Sequence, residues 1–163
     1  MLRLHTPPTP DTDALLTRAM FPDPARLQAT LRRYRTDPAW QLHTWEVGGM
    51  PVSAAGLTVS GHAGTVQHLG THPDHARQGH GRALLHCLMT ALNLDTLSAD
   101  TDEDAADFYR RSGFRIQELP SQWERRRYRC TLTREQENGP RAKVGFVAIP
   151  PFHYYSLTGR ESY

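Results

Sequence analysis

The chain has 163 residues, enough for one domain that buries its own core without metal or disulfide staples. Hydrophobic residues make up 38% and charged residues 22%, an ordinary globular profile, and a net charge of +2 is too small to argue for nucleic acid or an anionic membrane as partner. The two cysteines, Cys87 and Cys130, lie in separate apolar segments and read as buried thiols in a reducing compartment. No secretory leader is legible before His5, Thr6 and the prolines, and no apolar run reaches the length of a membrane span, so a cytoplasmic location is expected.

Met1–Leu4 alternates as a first strand, and Pro7, Pro8 and Pro10 break it. Asp11 or Thr12 can cap a short helix through Met20. Asp23 caps a second, with Pro24 at its first position, Leu27 and Leu31 on its buried stripe, and Asp37–Pro38 at its end. A meander follows. Trp40–Val47, Pro51–Val59 and Thr65–Thr71 read as strands, separated by turns at Gly48–Gly49 and Ser60–Gly64. A polar, glycine-bearing loop from Pro73 to Gly81 opens a helix with Leu84, Leu85, Leu88, Met89 and Leu92 at a 3.6 period. Leu94–Ala99 is a short strand. Asp102 starts a helix carrying Ala105, Ala106, Phe108 and Tyr109, and Gly113 suits its C-terminal turn. Phe114–Leu119 and Arg126–Leu132 are the last strands of a domain placed at residues 1–133. The tail, 134–163, opens as a polar linker at Glu135–Arg141 and offers one more strand at Lys143–Ile149. Its aromatic end is either a partner-contacting arm, with a second copy of the chain as one partner, or poorly ordered.

The stretch from His68 to Leu85 runs strand, glycine loop, helix start. The free N–H groups of a first helical turn and the positive end of its dipole form an anion site. Gly79 lets backbone approach a phosphate, Gly81 permits tight packing, and Arg77 and Arg82 can add charge-assisted contacts. A nucleotide-hydrolase loop would need Gly-Lys-Ser/Thr, and a dinucleotide fingerprint would need glycine where Leu84 stands. Read from the two glycines alone, a structural turn and an anion site are equally good.

This stretch resembles the central acetyl-CoA motif of the GNAT superfamily of N-acetyltransferases. Leu69, Thr71 and Pro73 fill its Leu-x-Val-x-Pro part, and Ala76, Gly79 and Gly81 fill its Arg/Gln-x-x-Gly-x-Gly/Ala part, with Ala76 departing from the usual Arg or Gln. A second segment, Asp102 to Phe114, resembles the family pattern Asn-x-x-Ala-x-x-Phe-Tyr-x-x-x-Gly-Phe, with Asp102 at the position of the Asn. The resemblance implies a mixed, mostly antiparallel α/β sheet flanked by helices. It also implies acetyl-CoA as co-substrate, held by Leu69, Gly70, Thr71, Arg77, Gln78, Gly79, His80, Gly81, Arg82 and Asp102. Tyr109 aligns with the tyrosine that protonates the departing thiolate in many members. Taken alone, a helix tyrosine is more often a packed core residue with its hydroxyl satisfied locally.

Transfer of an acetyl group to a primary amine also needs the amine neutral and donors for the developing oxyanion. By the same resemblance, those donors are backbone N–H groups within Leu69–Thr71. His68 and Glu46 are the candidate bases, against the reading of each as a solvated or structurally bonded side chain. His68, His72, His75, His80 and His86 crowd one stretch, but their spacing fits no common zinc pattern and no metal is expected. Arg125, Arg126, Arg127 and Arg129 divide between the two faces of a strand, which favours a solvated strand end over a nucleic-acid patch. The expected partners are thus acetyl-CoA and an amine, whether a small molecule, a peptide N-terminus or a lysine. A non-catalytic acyl-CoA-binding module is the rival from another class.

Overall fold

In the computed structural model of the chain, residues 1–121 and 124–137 are described. Local chemistry sets the helix starts. Helix α1 (Pro10–Thr17) is capped one turn earlier than expected, by Thr9. Pro10 has no N–H to satisfy and fits the first helical position, so the reciprocal bonds close between Thr9 and Thr12 at 2.8 and 3.3 Å. Helix α2 (Pro24–Thr36) starts as expected on Asp23, whose carboxylate accepts the Ala25 and Arg26 N–H groups.

The strands are β1 (Leu2–Arg3), β2 (Gln41–Val47), β3 (Met50–Ser60), β4 (Ala63–Thr71), β5 (Thr96–Asp102), β6 (Arg115–Leu119) and β7 (Arg127–Thr133). They form one sheet in the order β1-β2-β3-β4-β5-β7-β6, with every neighbouring pair antiparallel except β4 and β5. The sheet is therefore mixed and mostly antiparallel, as the sequence implied. β5 starts later than the expected Leu94 and runs past Ala99. Leu94 is buried in the preceding turn, and polar residues 100–102 find partners on β7, ending with Asp102 opposite Arg127.

Helices α3 (His80–Ala91) and α4 (Glu103–Arg111) cover one face over Leu69, Leu84, Leu85, Leu88, Leu97, Tyr109 and Phe114. On the other face α1 and α2 pack Leu15, Leu16, Leu31 and Tyr34 on Leu42 and Ala54. Where a polar linker was expected, the chain makes a further turn of helix, α5 (Arg134–Glu137). Its Arg134 guanidinium donates to the Leu94 carbonyl and to Asn93 Oδ1, tying the end of β7 to the turn before β5. The expected strand at Lys143–Ile149 and the aromatic arm beyond it lie outside the described residues. Among the described residues, no helix is long and apolar enough to cross a membrane.

Candidate functional site

The parallel strands β4 and β5 pair only at Ala63–Thr96, Gly64–Leu97 and Thr65–Ser98. Beyond that point β4 continues on β3 to Thr71 and β5 continues on β7 to Asp102, with no pairing between them. An open slot follows. The His72 N–H donates to the Val52 carbonyl of β3 at 2.8 Å. Alternation along the strand then sends Gly70 toward β3 and turns the N–H and C=O groups of Leu69 and Thr71 to the slot. One register shift matters here: His68 faces Gly56 while Val66 faces Leu57, so Gln67 is an extra residue on β4.

At the end of the slot α3 begins without a side-chain cap. Gly79 occupies the capping position at φ +82°, a left-handed conformation that favours glycine, and Arg77 is left-handed too at φ +63°. Helices α1, α2 and α4 each begin on a side-chain oxygen. The first intrahelical bond of α3 runs from Ala83 to Gly79, which puts the His80, Gly81 and Arg82 N–H groups in the first turn, ahead of the helical ladder. Gly81 is buried, and a Cβ there would lie 3.4 Å from both Phe108 Cζ and Thr71 Oγ1. The helix thus starts tight against α4 and the end of β4. What this arrangement can do chemically is hold an anion at one end of an unpaired strand edge.

The other expected cofactor residues separate into two groups. Gln78 stays in the loop, contacting the Asp74 carbonyl at 3.4 Å and His80 Nε2 at 3.3 Å. Burial and the neighbouring His75 lower the His80 pKa. Arg82 reaches from α3 to donate to the Arg111 carbonyl at the end of α4. Asp102 caps α4 by accepting from Asp104 and Ala105 and lies 3.6 Å from Arg125. Gly70 belongs to packing: a Cβ there would sit 1.8 Å from the Leu15 carbonyl oxygen, so its absence lets α1 lie directly on β4. Tyr109 is 1% exposed, its ring set edge-on between Phe108 and Phe114 at centroid distances of 5.2 and 5.1 Å. Through Phe108 it adjoins the start of α3.

On the opposite face, the two candidate bases are both engaged. Glu46 pairs with Arg3 at 3.2 Å near the outer edge of the sheet. His68 Nδ1 lies 2.7 Å from the Tyr34 hydroxyl, and burial lowers the His68 pKa to about 4. Trp40 completes an aromatic wall, 5.1 Å from the Tyr34 ring and 6.0 Å from the His68 ring, with the Arg33 guanidinium over its indole at 4.1 Å. Sequence reasoning missed Tyr34. Its signal was its place three residues after Leu31 on the stripe that began at Leu27. On the far strands, Arg125, Arg126 and Arg129 face Asp102, Glu118 and Asp100 in ion pairs.

Residues 39–116 match the acetyltransferase (GNAT) domain family. Solved structures share the fold at low identity. An acetyltransferase from Bacillus subtilis in complex with CoA is 16% identical, with a TM-score of 0.62 over 81% of this chain and 97% of its own. A GNAT family acetyltransferase from Elizabethkingia anophelis with acetyl-CoA bound is 17% identical, with a TM-score of 0.59 over 82% and 97%. The ribosomal-protein-S18-alanine N-acetyltransferase from Escherichia coli is 21% identical, with a TM-score of 0.60 over 82% and 94%. No curated protein sequence matches the chain. The match spans the meander, the glycine loop, α3 and α4, so the elements that build the slot are those of a GNAT acetyltransferase domain.

Proposed function

We propose that the protein transfers an acetyl group from acetyl-CoA to a primary amine. The carrying observation is the slot between β4 and β5, with an uncapped helix N-terminus at one end and an unpaired strand edge along its side. The pyrophosphate of the co-substrate would lie on the His80, Gly81 and Arg82 N–H groups, supported by Arg77 and Gln78. The pantetheine arm, itself an amide chain, would pair with Leu69 and Thr71 as an added strand. Asp102 stands at the far wall of the slot, at the start of α4. The active unit is residues 1–133, with 134–163 as an appended tail. Cys87 and Cys130 are both thiols, which supports a reducing, cytoplasmic setting.

The amine nitrogen attacks the thioester carbon directly, and the C–S bond breaks with its electron pair on sulfur. Tyr109 supplies the proton that the thiolate takes up. Its ring is held in place by Phe108 and Phe114.

A screen of small amines, peptide N-termini and lysine peptides, read out as released CoA thiol, tests this reading. Turnover with at least one amine is expected, and Tyr109→Phe should lower kcat by ~10²–10⁴ while the acceptor KM barely moves. An acetyl thioester of a CoA analogue with a more acidic thiol should recover part of the loss. Unchanged kcat in Tyr109→Phe would remove the acid role. No thiol release from the wild type, with acetyl-CoA still raising the melting temperature, would favour a non-catalytic acyl-CoA sensor.

A further inference from the structure

The contact between Tyr34 and His68 fixes both the proton and the direction of the histidine, and its consequence rests on the acetyl-transfer reading. Tyr34 is 6% exposed, and among the described residues its hydroxyl has no hydrogen-bond partner besides His68 Nδ1, at 2.7 Å. A buried O–H with no acceptor is costly, so the hydroxyl proton points at Nδ1. Nδ1 then accepts, and the ring carries its own proton on Nε2. Burial lowers the His68 pKa to about 4, which keeps the ring neutral near pH 7. In that state Nε2 donates and has no lone pair with which to take a proton.

Direction follows from the register. Gly56 of β3 stands opposite His68 of β4, and a Cβ on Gly56 would lie 1.8 Å from the Tyr34 oxygen. The hydroxyl therefore sits directly over β3. Nδ1 points back toward it, so Nε2, two bonds further round the ring, is turned away from β3, and the slot left by β5 lies on the far side of β4 from β3. The next residue, Leu69, turns its N–H to that same side.

We infer that His68 is a neutral N–H donor to the thioester carbonyl oxygen, joining the Leu69 amide from the α2 face, and is not the general base. As the amine lone pair forms the C–N bond, the carbonyl π pair moves to oxygen, where the two donors hold it. When the carbonyl re-forms, the C–S bond breaks and the thiolate takes the Tyr109 proton. The amine's surplus proton leaves to solvent, from which Tyr109 is reprotonated. His68 keeps its proton throughout. Tyr34 is a positioning residue, and Gly56 makes room for it.

Nitrogen-15 spectra of the imidazole at pH 7 should show His68 protonated on Nε2, and Tyr34→Phe should yield a mixture of tautomers. Protonation on Nδ1 in the wild type would overturn the inference whether or not any amine is acetylated. Turnover separates donor from base. His68→Gln keeps an N–H donor and should lose about tenfold, whereas His68→Glu offers a base without a donor and should lose ~10²–10³-fold, the effect of a missing oxyanion donor. A more active His68→Glu than His68→Gln would make His68 a base and end the proposal. If the wild type acetylates no amine, the acetyl-transfer reading fails by itself. Calorimetry then still decides the carbonyl contact: His68→Ala should narrow the preference for acetyl-CoA over CoA about threefold or more, and an unchanged preference refutes it.

Discussion

His43, like His68, is a buried ring whose protonation weakens the fold at acid pH. It lies fully buried on β2, accepts the His5 N–H on Nδ1 at 3.1 Å, and faces Gln41 Oε1 from Nε2 at 3.1 Å. Burial, with a smaller effect from His5, lowers its pKa to about 4. An unfolded histidine titrates near 6.5, so as pH falls the unfolded chain binds the proton first. Stability from this group is therefore complete above pH ~6.5 and is lost between ~6.5 and ~4, by about 1–2 kcal/mol at pH 5. Carboxylates titrate mostly below that window. Denaturant unfolding at pH 7 and pH 5 should show the drop in the wild type and a smaller one in His43→Gln. Equal slopes in the two proteins would mean that His43 is not the titrating group. Neither this role nor the tautomer of His68 was legible in sequence, because both depend on partners 34 and 38 residues away that only the folded sheet supplies.

Glycines at the level of elements act in two ways, and sequence reasoning caught only one. Gly79 and Gly81 were legible because a strand, a G-x-G loop and an apolar helix follow one another within a short segment, and the loop geometry is local. Gly70 sits in that segment and was expected to help hold acetyl-CoA, and it is also where α1 meets β4. A Cβ there would lie 1.8 Å from the Leu15 carbonyl oxygen and 2.7 Å from its carbon, which are backbone atoms of a packed helix. At Gly64 the corresponding Cβ would meet the Leu94 and Leu97 methyl groups at 2.8 and 3.0 Å. Leucine side chains can turn aside, whereas α1 would have to move as a body. Gly70→Ala should therefore cost about 3 kcal/mol or more, and Gly64→Ala clearly less. Thermal melts of the two variants give the order, and a Gly70→Ala protein as stable as Gly64→Ala would contradict this packing. The splay of β4 from β5 has no local signal in the sequence. Strand pairing joins distant segments, and nothing in 94–102 says that the last three residues pair with β7 instead of β4.

The molecule as a whole divides its two faces between two partners. In the proposed function the α3–α4 side and the slot edge take the co-substrate, and the α1–α2 side, with Tyr34, Trp40 and His68, is left for the acceptor. The order of helices and strands up to Thr133 was readable because caps, glycine turns and apolar periods agree with one another. Acceptor identity was not, since no stretch of the sequence carries a motif that marks one kind of amine. Every residue proposed to hold acetyl-CoA precedes Arg134, whose guanidinium fastens the turn before β5. Calorimetric titration of acetyl-CoA into three proteins tests the assignment of the slot most directly. The full chain and a chain ending at Arg134 should bind alike. Gly79→Val should fail to bind while keeping a cooperative melt, because a β-branched residue cannot hold the left-handed cap that bares the α3 N–H groups. Wild-type affinity in a folded Gly79→Val protein would contradict the account.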